Sequence, residues 1–270
     1  MARPMTARNA KPQSEGRELL SFLLKLALIV FIFRSFLLSP FSIPSESMLP
    51  RLMIGDYLFI TKWNYGYSRH SLPFSLPLIP GRIFPSTPER GDVVVFKAPP
   101  GNRSDYIKRV IGLPGDRIQV RDGQVILNGN PVPKQRVADF VIPVTPNYGC
   151  EAAFQDVVAG TPVCRYERYR ETLPGGHSYD VLDRGDYPEA DDTGVYTVPA
   201  NHLFMMGDNR DASADSRFPA VEGQAIGFVP IENVEGKALV GFWSTDGSAS
   251  WVKPWTWFSA ARWDRIGEGF

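Results

Sequence analysis

Cysteine, net charge and the familiar hydrolase motifs are all scarce in this chain of 270 residues. Its two cysteines exclude a disulfide-dense scaffold and a four-cysteine zinc site. Lys plus Arg and Asp plus Glu number 29 each, and this balance argues against a nucleic-acid-binding protein, which normally carries a basic excess. The motifs GxSxG, HExxH and CxxC are missing, so their hydrolase, zinc-protease and redox chemistries are not indicated.

Metal and histidine chemistry have equally little support. The chain has three histidines, and a Ser-His-Asp triad is formally possible through His202, near Asp208, but an exposed histidine in a turn is the ordinary interpretation. Asp208, Asp211 and Asp215 lie close together, but their spacing is not that of an EF-hand loop and the required glycine is absent. We therefore predict no metal and no cofactor.

One long apolar run stands near the N-terminus. Leu19–Leu38 is twenty residues long, and as a helix it spans about 30 Å, the thickness of a bilayer core. Residues 1–18 carry more basic than acidic side chains, so the positive-inside rule predicts a cytoplasmic N-terminus, a membrane anchor at 19–38 and an exported domain at 39–270. A cleaved signal peptide is the alternative, although bulky residues follow the apolar core where small ones are expected.

Strand-like patterns dominate after the anchor and predict a mainly β fold with a largely antiparallel sheet. Asp122-Gly123 separates two alternating segments, which is a strong hairpin signal. A short helical pattern occurs near 259–266. The predicted strands are 57–61, 93–96, 106–111, 117–121, 124–127, 195–198, 203–206, 225–229 and 238–242.

Residues 136–192 have few strong patterns, and we predict that they form a β-rich insertion or subdomain. Cys150 and Cys164 lie within them and enclose a loop short enough to close as a disulfide in an oxidising compartment. An exported location favours this bond over the alternative of two free buried thiols.

Three segments carry candidate chemistry. Residues 44–50 (PSESMLP) place serines soon after the apolar run, between prolines that restrict the backbone. In the predicted strand 106–111, Lys108 shares a face with Tyr106 and Val110, and burial there would lower its pKa and leave an amine able to take a serine proton. Residues 205–217 (MMGDNRDASADSR) are dense in small polar groups that could orient the amine. Taken singly, these segments also fit a linker, an edge-strand lysine and a hydrogen-bonded loop.

In this order, the segments resemble bacterial type I signal peptidases (leader peptidases), a Ser/Lys peptidase family. The similarity is close in IPSESMLP, RGDVVVFKAP, YIKRVIGLPGD and MGDNRDASADSR, and it extends to GFVPIENVEGKA. The resemblance implies a membrane-bound serine endopeptidase that removes signal peptides from exported preproteins after small residues at −1 and −3. It also implies the bacterial inner membrane, with the catalytic domain on the periplasmic face, and signal peptides and the lipid bilayer as partners.

The resemblance also assigns roles to individual residues. Ser47 corresponds to the nucleophile, Lys108 to the general base, and the Ser45 hydroxyl with the Ser47 N–H to the oxyanion hole. Ser213 corresponds to the residue that hydrogen-bonds and orients the lysine, and Asp215 and Arg217 correspond to a supporting polar pair. The walls of the shallow substrate pockets are Phe41, Ile43, Pro44, Tyr106 and Ile107.

Two positions depart from the family pattern. Glu46 stands where many members have glycine, and Arg51 where threonine is common. We expect Glu46 to point to solvent, because a carboxylate turned inward would raise the pKa of the lysine. Two alternatives stay open, namely a maturation peptidase specialised for one exported substrate and a catalytically inactive, membrane-tethered β domain.

Overall fold

Strands make up most of the ordered backbone. The computed structural model describes residues 15–250 and 252–270, so the predicted cytoplasmic residues 1–14 and Trp251 lie outside the described part. The helices are α1 Glu15–Phe36, α2 Pro188–Asp191 and α3 Thr256–Ala260. The strands are β1 Leu38–Ser42, β2 Asp56–Thr61, β3 Tyr67–Ser68, β4 Arg82–Ile83, β5 Val93–Lys97, β6 Asp105–Gly112, β7 Arg117–Arg121, β8 Gln124–Leu127, β9 Asn130–Pro131, β10 Lys134–Pro143, β11 Gln155–Val158, β12 Thr161–Thr172, β13 Ser178–Asp183, β14 Tyr196–Thr197, β15 His202–Met206, β16 Val229–Pro230 and β17 Val234–Ser244.

Helix α1 arises from the apolar run near the N-terminus. It is long and apolar enough over Gly16–Phe36 to cross a membrane, and only 6% of this stretch is buried. The helix begins at Glu15, before the predicted span 19–38. It ends at Phe36, because Leu38 already pairs with Thr61 as the first residue of β1. The chain therefore passes from the helix almost directly into the main sheet.

The main sheet has seven strands in the order β1-β2-β17-β5-β6-β15-β16, and neighbouring strands are antiparallel. Its central strand β5 is a continuous apolar run rather than an alternating one, because both faces of the sheet are covered. Val93 and Val95 pack on one face, whereas Val94 and Phe96 pack on the other. The prediction of a mainly β, largely antiparallel fold behind an apolar helix is confirmed.

The predicted insertion has a sheet of its own. Strand β12 pairs with β10 along one edge and with β11 and β13 along the other. Cys150 and Cys164 are joined by a disulfide with their Cα atoms 5.9 Å apart. Cys164 packs with Tyr166, Leu182 and Leu49, the last of which belongs to the turn after β1. The insertion therefore shares a core with the segment that contains the candidate nucleophile.

A third sheet, β14-β7-β8-β9, includes the predicted hairpin, whose strands have the predicted bounds. Of the predicted strand 225–229, only Val229 lies in a strand, the two-residue β16. Ala225 instead donates its N–H to the carbonyl of Val221 in a turn, so the apolar residues there are buried without being extended. The helical pattern near 259–266 overlaps the end of α3 and a 3-10 turn at Trp263–Arg265.

Candidate active site

Ser47 lies in the turn that connects β1 to β2. The next two residues, Met48 and Leu49, are fully buried, Met48 in the core of the main sheet and Leu49 in the core of the insertion. Ser47 itself is 6% exposed, and its carbonyl accepts a hydrogen bond of 3.1 Å from the backbone N–H of Asn209. The turn is therefore held by the core of the main sheet, by the core of the insertion and by Asn209, and the Ser47 hydroxyl has little freedom to move.

Lys108 reaches the same place from the middle of β6. Its Nζ donates to Ser47 Oγ at 2.6 Å, and the side chain is 4% exposed. Burial lowers the pKa of Lys108 from its ordinary 10.5 to about 8, although Asp215 and Asp208 oppose this shift. The amine forms no ion pair within the described residues. A lysine in this state releases a proton close to neutral pH, which is what a general base requires.

Two further hydroxyls predicted for the site have weaker contacts. Ser45 Oγ lies 3.4 Å from Ser47 Oγ, on the exposed side of the turn. Ser213 is buried, and its Oγ has no hydrogen-bond partner in the part of the chain that the structure describes. A Cβ at Gly207 would clash with both Ser213 Oγ and the Ser47 carbonyl, so Ser213 and Ser47 lie close together. The orienting role of Ser213 stays a prediction.

The loop after β15 is fixed by buried ion pairs. Asp215 is fully buried and bonds Arg217 at 2.9 Å through the guanidinium, and it also accepts the N–H of Gly207 at 3.0 Å. Burial alone would raise the pKa of Asp215, but the charge and hydrogen bonds of Arg217 hold it below its usual value. Asp215 therefore stays ionised and keeps the loop closed around the lysine.

Sequence reasoning did not identify two neighbouring ion pairs. Arg109 binds Asp208 through two hydrogen bonds of 2.7 and 2.6 Å, and both side chains are almost fully buried. Arg210 binds Glu171 of β12 at 2.6 Å. The available signal was the occurrence of charged residues directly beside apolar strands, where they can be buried only if paired.

A cleft of about 380 Å³ opens beside the Ser47 and Lys108 side chains. Strand β15 pairs with β6 only from Arg109 onward, so residues 105–108 have no strand partner on the cleft side among the described residues. This leaves a strand edge facing the cleft. The lining residues include every predicted pocket wall and are Phe41, Ser42, Ile43, Pro44, Ser45, Ser47, Val95, Asp105, Tyr106, Ile107, Lys108, Ala212 and Ala214.

The expectation that Glu46 points to solvent holds only in part, because its side chain is 32% exposed but its carboxylate is paired rather than free. Its carboxylate accepts hydrogen bonds from Arg184 Nη2 at 2.7 Å and from the Tyr148 hydroxyl at 3.2 Å. Both partners belong to the insertion, which the sequence patterns did not resolve into strands. Arg51, the other departure from the family pattern, pairs with Glu268 at 2.7 Å and lies over the ring of Phe270.

Comparisons with known proteins show which family the sequence belongs to. The pattern of the family described as "Signal peptidase, peptidase S26" matches residues 16–243. Signal peptidase I of Rickettsia typhi is 36% identical over 228 residues, which cover 80% of this chain and 76% of that protein. Signal peptidase I of Rickettsia felis is 36% identical over 221 residues, covering 78% and 73%. A crystal structure of a signal peptidase I from Enterococcus faecalis is 26% identical and covers 56% of this chain and 97% of that one, with a TM-score of 0.29.

The sequence matches define the class of the protein as the serine endopeptidases, which are hydrolases. Within that class the chain belongs to the signal peptidase family, peptidase S26. Family membership together with helix α1 indicates a membrane-anchored enzyme.

Proposed function

We propose that this protein cleaves signal peptides from exported preproteins with a Ser47/Lys108 dyad. The observation that carries the proposal is the 2.6 Å contact between Lys108 Nζ and Ser47 Oγ in a buried setting that lowers the lysine pKa to about 8. A neutral amine at this distance can take the proton of the hydroxyl as it attacks a peptide carbonyl. Family membership supports the same substrate class.

The proposed reaction has two halves. In the first half, Ser47 Oγ bonds to the scissile carbonyl carbon while its proton passes to Lys108. Lys108 then gives that proton to the departing amine as the C–N bond breaks, which leaves an ester on Ser47 and frees the new N-terminus. In the second half, water attacks the ester and loses a proton to Lys108, which returns it to Ser47 Oγ as the C–O bond breaks.

Groups around the dyad would stabilise the oxyanion of the tetrahedral intermediate and hold Lys108 in place. The Ser47 N–H and the Ser45 hydroxyl are the donors assigned to the oxyanion. Ser213 is assigned to orient the lysine, and the buried pair of Asp215 and Arg217 to hold the loop that contains it.

The cleft suits an extended peptide with small side chains. The free edge of residues 105–108 offers backbone groups to which a substrate strand can bond. Phe41, Ile43, Pro44, Tyr106 and Ile107 line the cleft beside the dyad, and a shallow apolar wall of this kind favours small residues at −1 and −3 over large ones. This is the basis on which we assign cleavage after an Ala-x-Ala site.

Membrane seating is part of the same proposal. Helix α1 is assigned as a single span with the N-terminus in the cytoplasm and the catalytic domain on the periplasmic face of the inner membrane. Exposed aromatic side chains support contact with the bilayer, since such rings favour the interface. They include Phe74, Phe84, Trp255, Phe258 and Trp263.

The test is cleavage of a preprotein with an Ala-x-Ala site by the full-length chain in detergent. We expect cleavage after the second alanine by the wild type, and a loss of roughly 10³-fold or more in both Ser47→Ala and Lys108→Met. Ser86→Ala, at an exposed serine away from the cleft, is the control and should behave as wild type.

The outcomes separate the alternatives. A wild type that does not cut the general substrate would leave a specialised peptidase or an inactive relative. Substantial cleavage by Lys108→Met would mean that the base is another residue.

A further inference from the structure

We propose that Glu46 and Arg184 form a positioning pair through which the disulfide-bonded insertion holds Ser47 in its reactive place. This inference rests on the proposed function, because it assumes that Ser47 is the nucleophile. It concerns the contact between the insertion and the turn that contains Ser47. It gives a role to two residues for which the sequence motifs indicate none.

The first observation is the bonding of Glu46 itself. It is the residue immediately before Ser47, and its carboxylate accepts from Arg184 at 2.7 Å and from Tyr148 at 3.2 Å. Its backbone carbonyl accepts from the side-chain amide of Asn209 at 3.1 Å. A residue held at both its side chain and its carbonyl fixes the orientation of the peptide that follows it.

The second observation is that Arg184 is itself immobilised. Its guanidinium lies over the rings of Tyr166 at 4.8 Å and Phe154 at 5.7 Å, and its side chain is only 9% exposed. Its backbone N–H donates to the Asp211 carboxylate at 2.6 Å. A half-buried ion pair with a stacked guanidinium is far better defined in geometry than an exposed surface pair.

The third observation is that the insertion contacts both catalytic segments. Leu49, two positions after Ser47, packs with Cys164, Tyr166 and Leu182 of the insertion. The N–H of Leu182 donates to the carbonyl of Asp208 at 2.9 Å, in the loop that closes around the lysine. The insertion therefore touches the nucleophile turn and the lysine loop together, and Glu46 with Arg184 is its ionic contact with the turn.

The Glu46–Arg184 pair acts by positioning Ser47 and not by changing the pKa of Lys108. Asp215 and Asp208 are the carboxylates that act on the pKa of Lys108. Loss of the pair should therefore lower the rate of the chemical step without moving the pH at which the lysine titrates. This separates the proposal from a direct electrostatic effect of Glu46.

The experiment compares Arg184→Met, Glu46→Gln and the double variant in preprotein cleavage by the full-length chain. A displacement of about 1 Å at a nucleophile can cost up to 10²-fold, so we expect kcat to fall about 10-fold in each single variant with KM nearly unchanged. The double variant should lose about as much as either single one, because the two changes remove the same interaction. Arg184→Lys should recover part of the loss.

Arg165→Met is the matched control, since Arg165 forms an exposed ion pair with Asp156 at 2.8 Å in the same insertion but away from the turn. It should keep the wild-type kcat. Thermal melts verify that every variant is folded at the assay temperature.

Three results would overturn the inference: a wild-type kcat in Arg184→Met, additive losses in the double variant, or a shifted pH midpoint of kcat. Ser47→Ala is assayed alongside. If that variant still cleaves, the proposed function has failed; if it is inactive while Arg184→Met is normal, only the positioning pair has failed.

Discussion

Two buried lysines on the main sheet differ in their partners. Lys62, just after β2, is 2% exposed and pairs with Glu235 at 3.0 Å. Lys108 is 4% exposed and has only the Ser47 hydroxyl as its hydrogen-bond partner within the residues described. Burial lowers the pKa of both, but for Lys62 the adjacent carboxylate opposes the shift directly. Burial alone therefore does not distinguish the two lysines; the difference is that Lys62 has a paired carboxylate, whereas Lys108 has a hydroxyl within hydrogen-bond distance.

The largest expected difference between the two lysines is in catalysis. Lys108→Met should reduce preprotein cleavage by roughly 10³-fold, because it removes the proposed proton acceptor for Ser47. Lys62→Met should retain cleavage. Steady-state kinetics of the two variants side by side measure this contrast, and equal losses in both would show that the comparison is mistaken.

The second difference is in the stability of the fold, where replacing Lys62 should be more harmful than replacing Lys108. Lys62→Met leaves the buried Glu235 with Lys97, 3.4 Å away, as its remaining ion-pair partner, and losing one partner of a buried pair typically costs about 3 kcal/mol. For a domain of this size that corresponds to a fall of roughly 6–12 °C in Tm. A thermal melt in detergent measures it, and an unchanged Tm would contradict the assignment of Lys62 as a structural residue.

Lys108→Met should instead stabilise the fold at pH 7, by roughly 2–3 kcal/mol, because the wild type must hold or neutralise an unpaired buried amine. The folded lysine releases its proton near pH 8, whereas the unfolded one does so near 10.5. Between these values the unfolded state binds more protons, so wild-type stability rises with pH and the advantage of the variant shrinks. Tm measured from pH 7 to 10 tests this, and a gap that widens with pH would refute it.

The last prediction is the pH dependence of the wild-type rate, which changes by the smallest factor for each step measured. In the proposed mechanism the neutral amine is the active form, so kcat should fall about 10-fold per pH unit well below the lysine pKa of about 8 and level off above it. Values of kcat measured between pH 5.5 and 9 define the descending part of the pH profile and its midpoint. A midpoint near the ordinary lysine value would mean that the amine is solvated in the working enzyme.

The predictable part of the fold was the part with strong local patterns. The apolar run of β5 and the hairpin of β7 and β8 have patterns that require no partner to be recognised. The insertion was not resolved because β12 exposes Arg165, Glu167 and Arg170 on its surface. These residues are stabilised by pairs with other strands, such as Arg170 with Asp180, and only the tertiary structure brings those partners together.

The candidate site shows the same division. The pairing of Ser47 with Lys108 came from the family resemblance, since no periodicity relates positions in different strands. The ion pair of Glu46 could not be predicted because its partner Arg184 is distant in sequence and lies in the segment with the fewest patterns. Long-range ionic contacts of this kind leave no trace in the local sequence.

The junction between α1 and β1 has a consequence for where cleavage can occur. The Tyr67 hydroxyl and the Lys62 N–H donate to the carbonyls of Phe36 and Leu37, and Ser39 Oγ donates to the carbonyl of Arg34. These bonds leave no flexible tether between the helix and the sheet that leads to Ser47. With α1 in a bilayer, Ser47 would stay at a fixed distance from the membrane surface. The enzyme would then select scissile bonds by their distance from that surface as well as by their flanking residues.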